Sequence, residues 1–248
     1  MALREDMEKQ GNWLFRWRSY LPLLVIPLFI VALQHAGVFE YLFGDRAGDY
    51  WESLSICISF VGLAFRCVTA GYVPKGTSGR NTKNQVAESL NTSGMYSIVR
   101  NPLYLGNFII FFGITLFIQV WWLALVVWIG YWFYYERIVY SEEEFLRKKF
   151  GALFIDWAEK TPMFFPNFRN WGRPDLPFSL KTMIRREFST FFAIVSAFFF
   201  LEISKNLLHR DKFYIGRSWV IFFIIGLVIY AICVILKKKT NILNVSGR

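Results

Sequence analysis

Apolar residues gather in windows at 19–39, 53–73, 102–119, 120–140, 188–208 and 214–236, with polar stretches between them. Each window approaches or exceeds the length needed to cross the hydrocarbon of a bilayer. The pattern predicts an all-α fold, a polytopic integral membrane bundle of about six transmembrane helices. The third and fourth windows abut at Gln119 to Trp122, so they form a helical hairpin that returns the chain to the face it left. Gly106 and Gly113, with Ile110 between them, fall on one helical face and permit close helix contact. At the start of the third window, Asn101 stands as a helix N-cap and Pro102 at the first helical position. The free N–H groups and positive dipole end of that helix are a seat for a carboxylate or phosphate, or simply the start of an ordinary capped transmembrane helix. After the fourth window, Ser141 and Glu144 form an S-x-x-E capping box, which predicts a new helix. It carries Glu142, Glu143, Arg147, Lys148 and Lys149 alongside Phe145, Leu146, Phe150, Phe154 and Trp157, so it is amphipathic and lies at the interface until Thr161 and Pro162.

Composition agrees with a membrane protein. Of 248 residues, 55% are hydrophobic and 20% aromatic, with a mean hydropathy of +0.35. That exceeds what a soluble core requires. The net charge of +10 follows the loops and draws the chain to anionic headgroups; no nucleic-acid motif accompanies it, so no nucleic-acid partner is expected. Arg4, Lys9, Arg16 and Arg18 precede the first window, which lacks a signal cleavage site and reads as a retained span. Lys75, Arg80, Lys83 and Arg100 lie between windows two and three, and Lys237 to Lys239 follow the last. These segments, and with them both termini, are expected in the cytoplasm. Asp45 and Asp49, set against Arg46 alone, fit the opposite side, whereas Lys205, Arg210, Lys212 and Arg217 fall there against the rule. Glu202 sits near a span end or pairs with Lys205. Cys57, Cys67 and Cys233 show neither disulfide nor metal-ligand spacing, and His35 and His209 are too scattered for a metal cluster, so no metal is expected.

Three polar regions remain. The stretch Pro74 to Asn91, with core GTSGRNTKNQ, is either a loop that offers backbone N–H groups, Arg80 and Lys83 to a headgroup or cofactor, or a solvated connector. Lys181, Arg185 and Arg186 form a basic patch that phosphate headgroups would explain. Glu142 and Glu143 offset a helix dipole, Glu143 pairing with Arg147, or else serve a site. In the second case the helix start at Asn101 and the carboxylates meet where the hairpin returns. The site is then lined by Tyr96, Tyr104, Tyr134 and Tyr135, with Arg100 and Arg137 as cations and Glu142 as anion. Aromatic faces attract onium groups, helix N-termini attract carboxylates and an acidic side chain binds ribose hydroxyls, so a zwitterionic cofactor bearing a cation suits it.

The runs LNTSGMY from Leu90, RNPLYLG from Arg100, EEEFL from Glu142, FGALFIDW from Phe150 and PMFFP from Pro162 resemble the isoprenylcysteine carboxyl methyltransferase family and its bacterial phospholipid methyltransferase relatives. The resemblance spans roughly residues 75 to 166, in order and spacing. It implies a membrane methyltransferase dependent on S-adenosyl-L-methionine, without a Rossmann domain; no G-x-G-x-x-G occurs here. Carried over residue by residue, it places cofactor contacts on Glu88, Leu90, Asn91, Tyr96, Asn101, Pro102, Leu103, Tyr104 and Glu142, with Asn81 or Gln85 added from the polar loop. The family's acceptor-holding arginine corresponds best to Arg137, which precedes Glu142 by five positions where the pattern has four. Arg100 and Arg80 are further candidates for the acceptor. Asn101 replaces the usual histidine of R-H-P; asparagine caps a helix but is no base. That favours an acceptor already ionised at neutral pH.

The expected partner is therefore an anionic membrane lipid, foremost a lipid phosphate of the lipid A 1-phosphate type, with a prenylcysteine carboxylate as the alternative. The loop GTSGRNTK, which resembles an anion-binding turn, motivates the preference. A membrane sterol or enone reductase using NADPH shares the R-x-P-x-Y-x-G segment but resembles its own kin in an aspartate and a lysine-cysteine pair that this chain lacks. A non-catalytic lipid-binding or transport module is the third reading. The chain divides into N-terminal helices (1–74), a methyltransferase core (75–166) and a connector with the C-terminal transmembrane pair (167–248). A bacterial inner membrane, with the active site facing the cytoplasm, is the expected location.

Overall fold

The computed structural model describes residues 3–74, 76–77, 85–209 and 215–248, without the side chain of residue 209. The chain is helical: α1 (Leu3–Trp17), a 3-10 turn (Leu21–Val25), α2 (Ile26–Leu33), α3 (Val38–Phe43), α4 (Asp45–Tyr72), α5 (Met95–Ile98), α6 (Pro102–Leu116), α7 (Trp121–Phe150), α8 (Ala152–Lys160), a second 3-10 turn (Phe168–Asn170), α9 (Leu180–His209) and α10 (Arg217–Lys239). The described residues hold no strand, only an isolated antiparallel bridge between Gly94 and Gly172.

Three helices, α4, α9 and α10, are long and apolar enough to cross a membrane, and α10 turns Ile221, Ile225, Val228, Ile232 and Ile235 outward as a lipid-facing surface does. The protein is an integral membrane protein. A fourth span arises if α1 and the segment Leu21–Leu33 count together, but they are bent by 87°. Pro22 and Pro27 head the two pieces of that segment and fragment it. α6 has 15 residues, about 22 Å at 1.5 Å per residue, and is shorter than a full span. Six spans are reached only by counting the bent pair, the short α6 and α7, which is long but not among the helices apolar enough to cross.

α4 is the axis of the bundle. Its Ser55, Ser59 and Gly62 face Gly106, Ile110 and Gly113 of α6, and Ser59 Oγ donates to the Ile110 carbonyl at 2.9 Å. A Cβ on Gly113 would lie 2.3 Å from Ser59 Oγ and 2.6 Å from the Ser55 carbonyl oxygen. The glycine face of α6 therefore packs on α4 and not on its hairpin partner. α7 meets α6 through rings instead, Phe108 on Tyr131 and Tyr104 on Tyr135. The hairpin turn holds Gln119 at φ +64°, and the packed residues Ala32, Leu33 and Ala36 brace Ile118, Val120 and Leu123.

The S-x-x-E signal does not start a helix. α7 runs unbroken through Ser141, whose Oγ donates to the Ile138 carbonyl one turn back, a satisfaction open to serine inside a helix. Glu144 is drawn to Arg4 and Arg147 instead. The break falls at Gly151, whose φ of +55° suits glycine, and the amphipathic continuation is α8. Arg80, Asn81 and Lys83 lie outside the described residues.

At the opposite end of the bundle, Lys205 binds both Glu40 and Glu52, and Glu202 accepts from Asn206 rather than pairing with Lys205. The lysine that broke the loop-charge rule is thus neutralised by acids from α3 and α4.

Gly113→Val is expected to lower the thermal midpoint of detergent-solubilised protein by forcing α4 and α6 apart, at a cost of about 1–3 kcal/mol or more. Gly130→Ala, where an added Cβ meets nothing within 4 Å, serves as control and is expected not to lower it.

Candidate active site at the end of the helical hairpin

The return of α7 beside the start of α6 brings charges together that are far apart in sequence. Pro102 opens α6 as its first residue, but Asn101 makes no side-chain cap. Its Nδ2 donates to the Met163 carbonyl at 3.3 Å, so the amide serves the PMFFP segment instead of the helix. That segment runs back along the helix start: Arg100 N–H donates to the Pro162 carbonyl and Asn167 N–H to the Ile98 carbonyl.

Glu142 and Glu143 sit about two turns from the helix end, and each reaches a different partner. Tyr104 Oη donates to Glu142 Oε1 at 2.7 Å, and Arg18 Nη1 approaches both groups, at 3.2 Å from Tyr104 Oη and 3.4 Å from Glu142 Oε1. Arg100 Nη1 donates to Glu143 Oε2 at 2.9 Å. Burial raises the Glu142 carboxyl above the ordinary range, opposed by the Tyr104 hydroxyl and Arg18. Burial raises Glu143 likewise, opposed by Arg100 and Asn101. Among the described residues, Arg100 Nε, Glu143 Oε1 and Tyr134 Oη are buried without a hydrogen-bond partner. Such atoms are uncommon and costly, so three at one site mark unused binding capacity.

An aromatic wall adjoins these charges. The Tyr135 ring stacks on Tyr131 with centroids 4.1 Å apart and meets Tyr104 at 4.6 Å and Tyr134 at 4.9 Å. Asn101, Tyr104, Tyr131, Trp132, Tyr135, Glu136, Val139, Met163 and Phe164 enclose a cavity of about 20 Å³, enough for one water.

Of the residues expected from sequence, Arg100, Asn101, Tyr104 and Glu142 converge here, with Pro102 buried and Leu103 half-buried in the first turn of α6. The stretch leading to Tyr96 lies on the same end of α7. Gln85 Nε2 donates to Ser141 Oγ, Lys149 Nζ donates to the Ala87 carbonyl, and the Glu88 carboxyl packs against Gly76. Leu90 and Asn91 are half-buried along it, and Trp157 of α8 donates its indole N–H to the Tyr96 carbonyl. Arg137 is not brought to Glu142. Five positions apart on a helix, the two point about 140° from each other, and the Arg137 guanidinium lies 3.7 Å from Glu136 instead.

Arg18 is the residue the sequence did not reveal as part of the site. It counted only toward loop charge, and no spacing connects it to Glu142; the packing of α1 along α7 carries it there. Glu143 was legible as a dipole partner of Arg147, but Arg100 is the cation it meets. Among the described residues no group of three or more His, Cys, Asp or Glu is placed to hold a metal ion.

The comparisons with known proteins bear on this same segment. Residues 54–152 match the family model for phospholipid methyltransferases. A stretch of 119 residues is 29% identical to the nickel-cobalt-cadmium resistance protein NccN of Alcaligenes xylosoxydans xylosoxydans, covering 48% of this chain and 53% of that one. A stretch of 157 residues is 27% identical to the cobalt-zinc-cadmium resistance protein CzcN of Cupriavidus metallidurans, covering 62% of this chain and 66% of that one. The chain thus spans about half to two thirds of the length of these relatives. No solved structure matches it at a significant level. The matched stretch begins in α4, takes in α6 and ends just past α7, and so includes Arg100, Tyr104, Glu142 and Glu143, whereas Arg18 and α9 fall outside it. The motif resemblance and the match to the phospholipid methyltransferase model overlap over residues 75–152.

Proposed function

We propose that the protein is an S-adenosylmethionine-dependent methyltransferase acting on the head group of a membrane lipid. The observation that carries this reading is the half-buried cluster of Arg18, Tyr104, Glu142, Arg100 and Glu143, with two unpartnered polar atoms of its own and a third on Tyr134, beside the tyrosine wall. Its residues fit the cofactor. Arg100 and the uncapped start of α6 suit a carboxylate, Glu142 suits ribose hydroxyls, and the faces of Tyr104, Tyr131 and Tyr135 suit a sulfonium. When bound, the cofactor supplies an electrophilic methyl group. The protein's share is to orient donor and acceptor in line and to exclude water, which the apolar walls formed by Trp132, Met163 and Phe164 favour. Ligand pockets run to about 300–1,000 Å³, so entry requires the 163–164 segment and α7 to separate.

For the acceptor we favour an anionic oxygen, a lipid phosphate of the lipid A 1-phosphate type. Asn101 offers no base, and an ionised phosphate oxygen needs none. Arg137, 3.7 Å from the cavity-lining Glu136, is the cation we assign to it. Methylating a phosphate removes a negative charge from the envelope and with it a binding site for divalent cations. This gives a chemical route to the metal resistance named for the two relatives. An amine head group is the second reading, favoured by the Glu136 carboxylate in the cavity wall, which would attract a cation. We place the protein in a bacterial inner membrane with this end of the bundle toward the cytoplasm, an orientation that the basic segments around Arg18, Arg100 and Lys237 support.

Incubating purified protein with methyl-labelled S-adenosylmethionine, bacterial lipid extract, phosphatidylethanolamine and a farnesylcysteine analogue tests the acceptor. Label in a phosphate-bearing lipid of the extract is expected; label in the amine or the prenylcysteine alone replaces the phosphate reading. Titration with S-adenosylhomocysteine and NADPH tests the class, and binding of NADPH alone would overturn the methyltransferase. Glu142→Gln is expected to weaken S-adenosylhomocysteine binding about tenfold or more, the loss of one charge-assisted hydrogen bond of about 1.5–3 kcal/mol.

The pH dependence has a definite sign. Burial raises the Glu142 pKa above 4.5, so the ionised form that accepts from hydroxyls is lost as pH falls through that raised value. Ligand affinity is expected to decline on acidification with an inflection above 4.5, and Glu142→Gln is expected to remove that inflection. Folding stability runs the other way. The folded state holds its proton more tightly than the unfolded chain, so the contribution of this group to stability falls as pH rises from 4.5 through the folded pKa.

A further inference from the structure

A second charged group lies deeper in the bundle, away from the ring around Glu142. Arg66 of α4 and Glu187 of α9 are 11% and 5% exposed. Arg66 Nε donates to Glu187 Oε2 at 2.8 Å and Arg66 Nη2 to Glu187 Oε1 at 2.9 Å, a bidentate pair. The remaining nitrogen, Nη1, donates to Asn107 Oδ1 at 2.6 Å. This fixes the orientation of the amide, since its oxygen must face the guanidinium. The Asn107 Nδ2 group is thereby turned toward Tyr135 Oη, 3.4 Å away. Tyr135 lines the cavity and touches Tyr104, which donates to Glu142.

An ion pair inside a membrane-spanning helix is expensive, and well-packed apolar residues of similar volume serve stability as well or better. A structural role alone therefore does not account for it. Among the described residues, its hydrogen bond beyond the pair goes to the Asn107 amide, and through that amide to the tyrosine of the cavity wall.

We propose that Glu187, Arg66 and Asn107 form a positioning arm that holds Tyr135 against the methyl-donor cavity, so that α9, outside the family segment, is a working part of the site. This rests on the methyltransferase reading. Glu187 and Arg66 act as positioning residues through Asn107; neither lines the cavity. The C-terminal helix pair is then more than an anchor: the matched segment alone leaves Arg66 without its counter-charge.

Two substitutions separate position from fold. Replacing both charges, Arg66→Met with Glu187→Met, leaves no unpaired charge, and Asn107→Leu cuts the arm while keeping the bidentate pair, at the cost of the acceptor for Arg66 Nη1. The paired variant is expected to keep the thermal midpoint near that of the wild type, and both variants are expected to weaken S-adenosylhomocysteine binding about tenfold by calorimetry and to raise KM for S-adenosylmethionine more than they lower kcat. Tyr135→Phe is expected to give a similar loss, and combining it with Asn107→Leu to add little further, because both remove the same contact. Independently of any ligand, the fluorine resonance of 3-fluorotyrosine incorporated at position 135 is expected to shift in Asn107→Leu and in the paired variant. An unshifted resonance, or wild-type affinity and KM in Asn107→Leu, overturns the arm. A shifted resonance in a protein that binds no S-adenosylhomocysteine leaves the arm standing and removes the methyltransferase reading instead.

Discussion

The close approach of α4 and α6 is the contact on which the rest of the molecule depends. Lipid gives helices little hydrophobic reason to associate, so the contact must come from packing and from polar groups that meet across it. Ser55, Ser59 and Gly62 on one side and Gly106 and Gly113 on the other let the two backbones touch, and Ser59 ties them with a hydrogen bond. That contact fixes the height of Pro102, and with it the level at which Arg100 meets Glu143 and Tyr104 meets Glu142. It also brings Arg66 within reach of Asn107.

Much of this was legible in the sequence because it is local. The helix start at Asn101 and Pro102, the tight hairpin near Gln119 and the ordered motifs from Leu90 to Pro162 depend on neighbouring residues, and the structure realises them. What was not legible was choice of partner. The glycines of α6 announce a close neighbour without saying which, and α4 takes that place. The S-x-x-E signal at Ser141 failed for a related reason. Nothing before Ser141 interrupts the preceding helix, so the serine bonds back to Ile138 and α7 continues to the glycine that can end it. Arg18 was invisible as a site residue because only the packing of α1 along α7, a contact between distant parts of the chain, brings it to Glu142.

The two ends of the bundle manage charge in contrasting ways. At one end Lys205 takes two carboxylates, Glu40 and Glu52, and closes α3, α4 and α9 together. At the other, each carboxylate has its own arginine and one oxygen of Glu143 remains unused. The first arrangement uses its hydrogen-bonding groups on itself. The second keeps capacity in reserve next to a wall of tyrosines.

The glycine that ends RNPLYLG has a meaning beyond helix packing. A Cβ on Gly106 would stand 2.6 Å from Cγ of Arg66, so the side chain of the arginine crosses α6 through the space where a residue at 106 would have its own. The volume at that crossing is shared between two positions forty residues apart. A motif letter that looks like a property of one helix therefore records the passage of a charge from another, and the two positions are free to change only together.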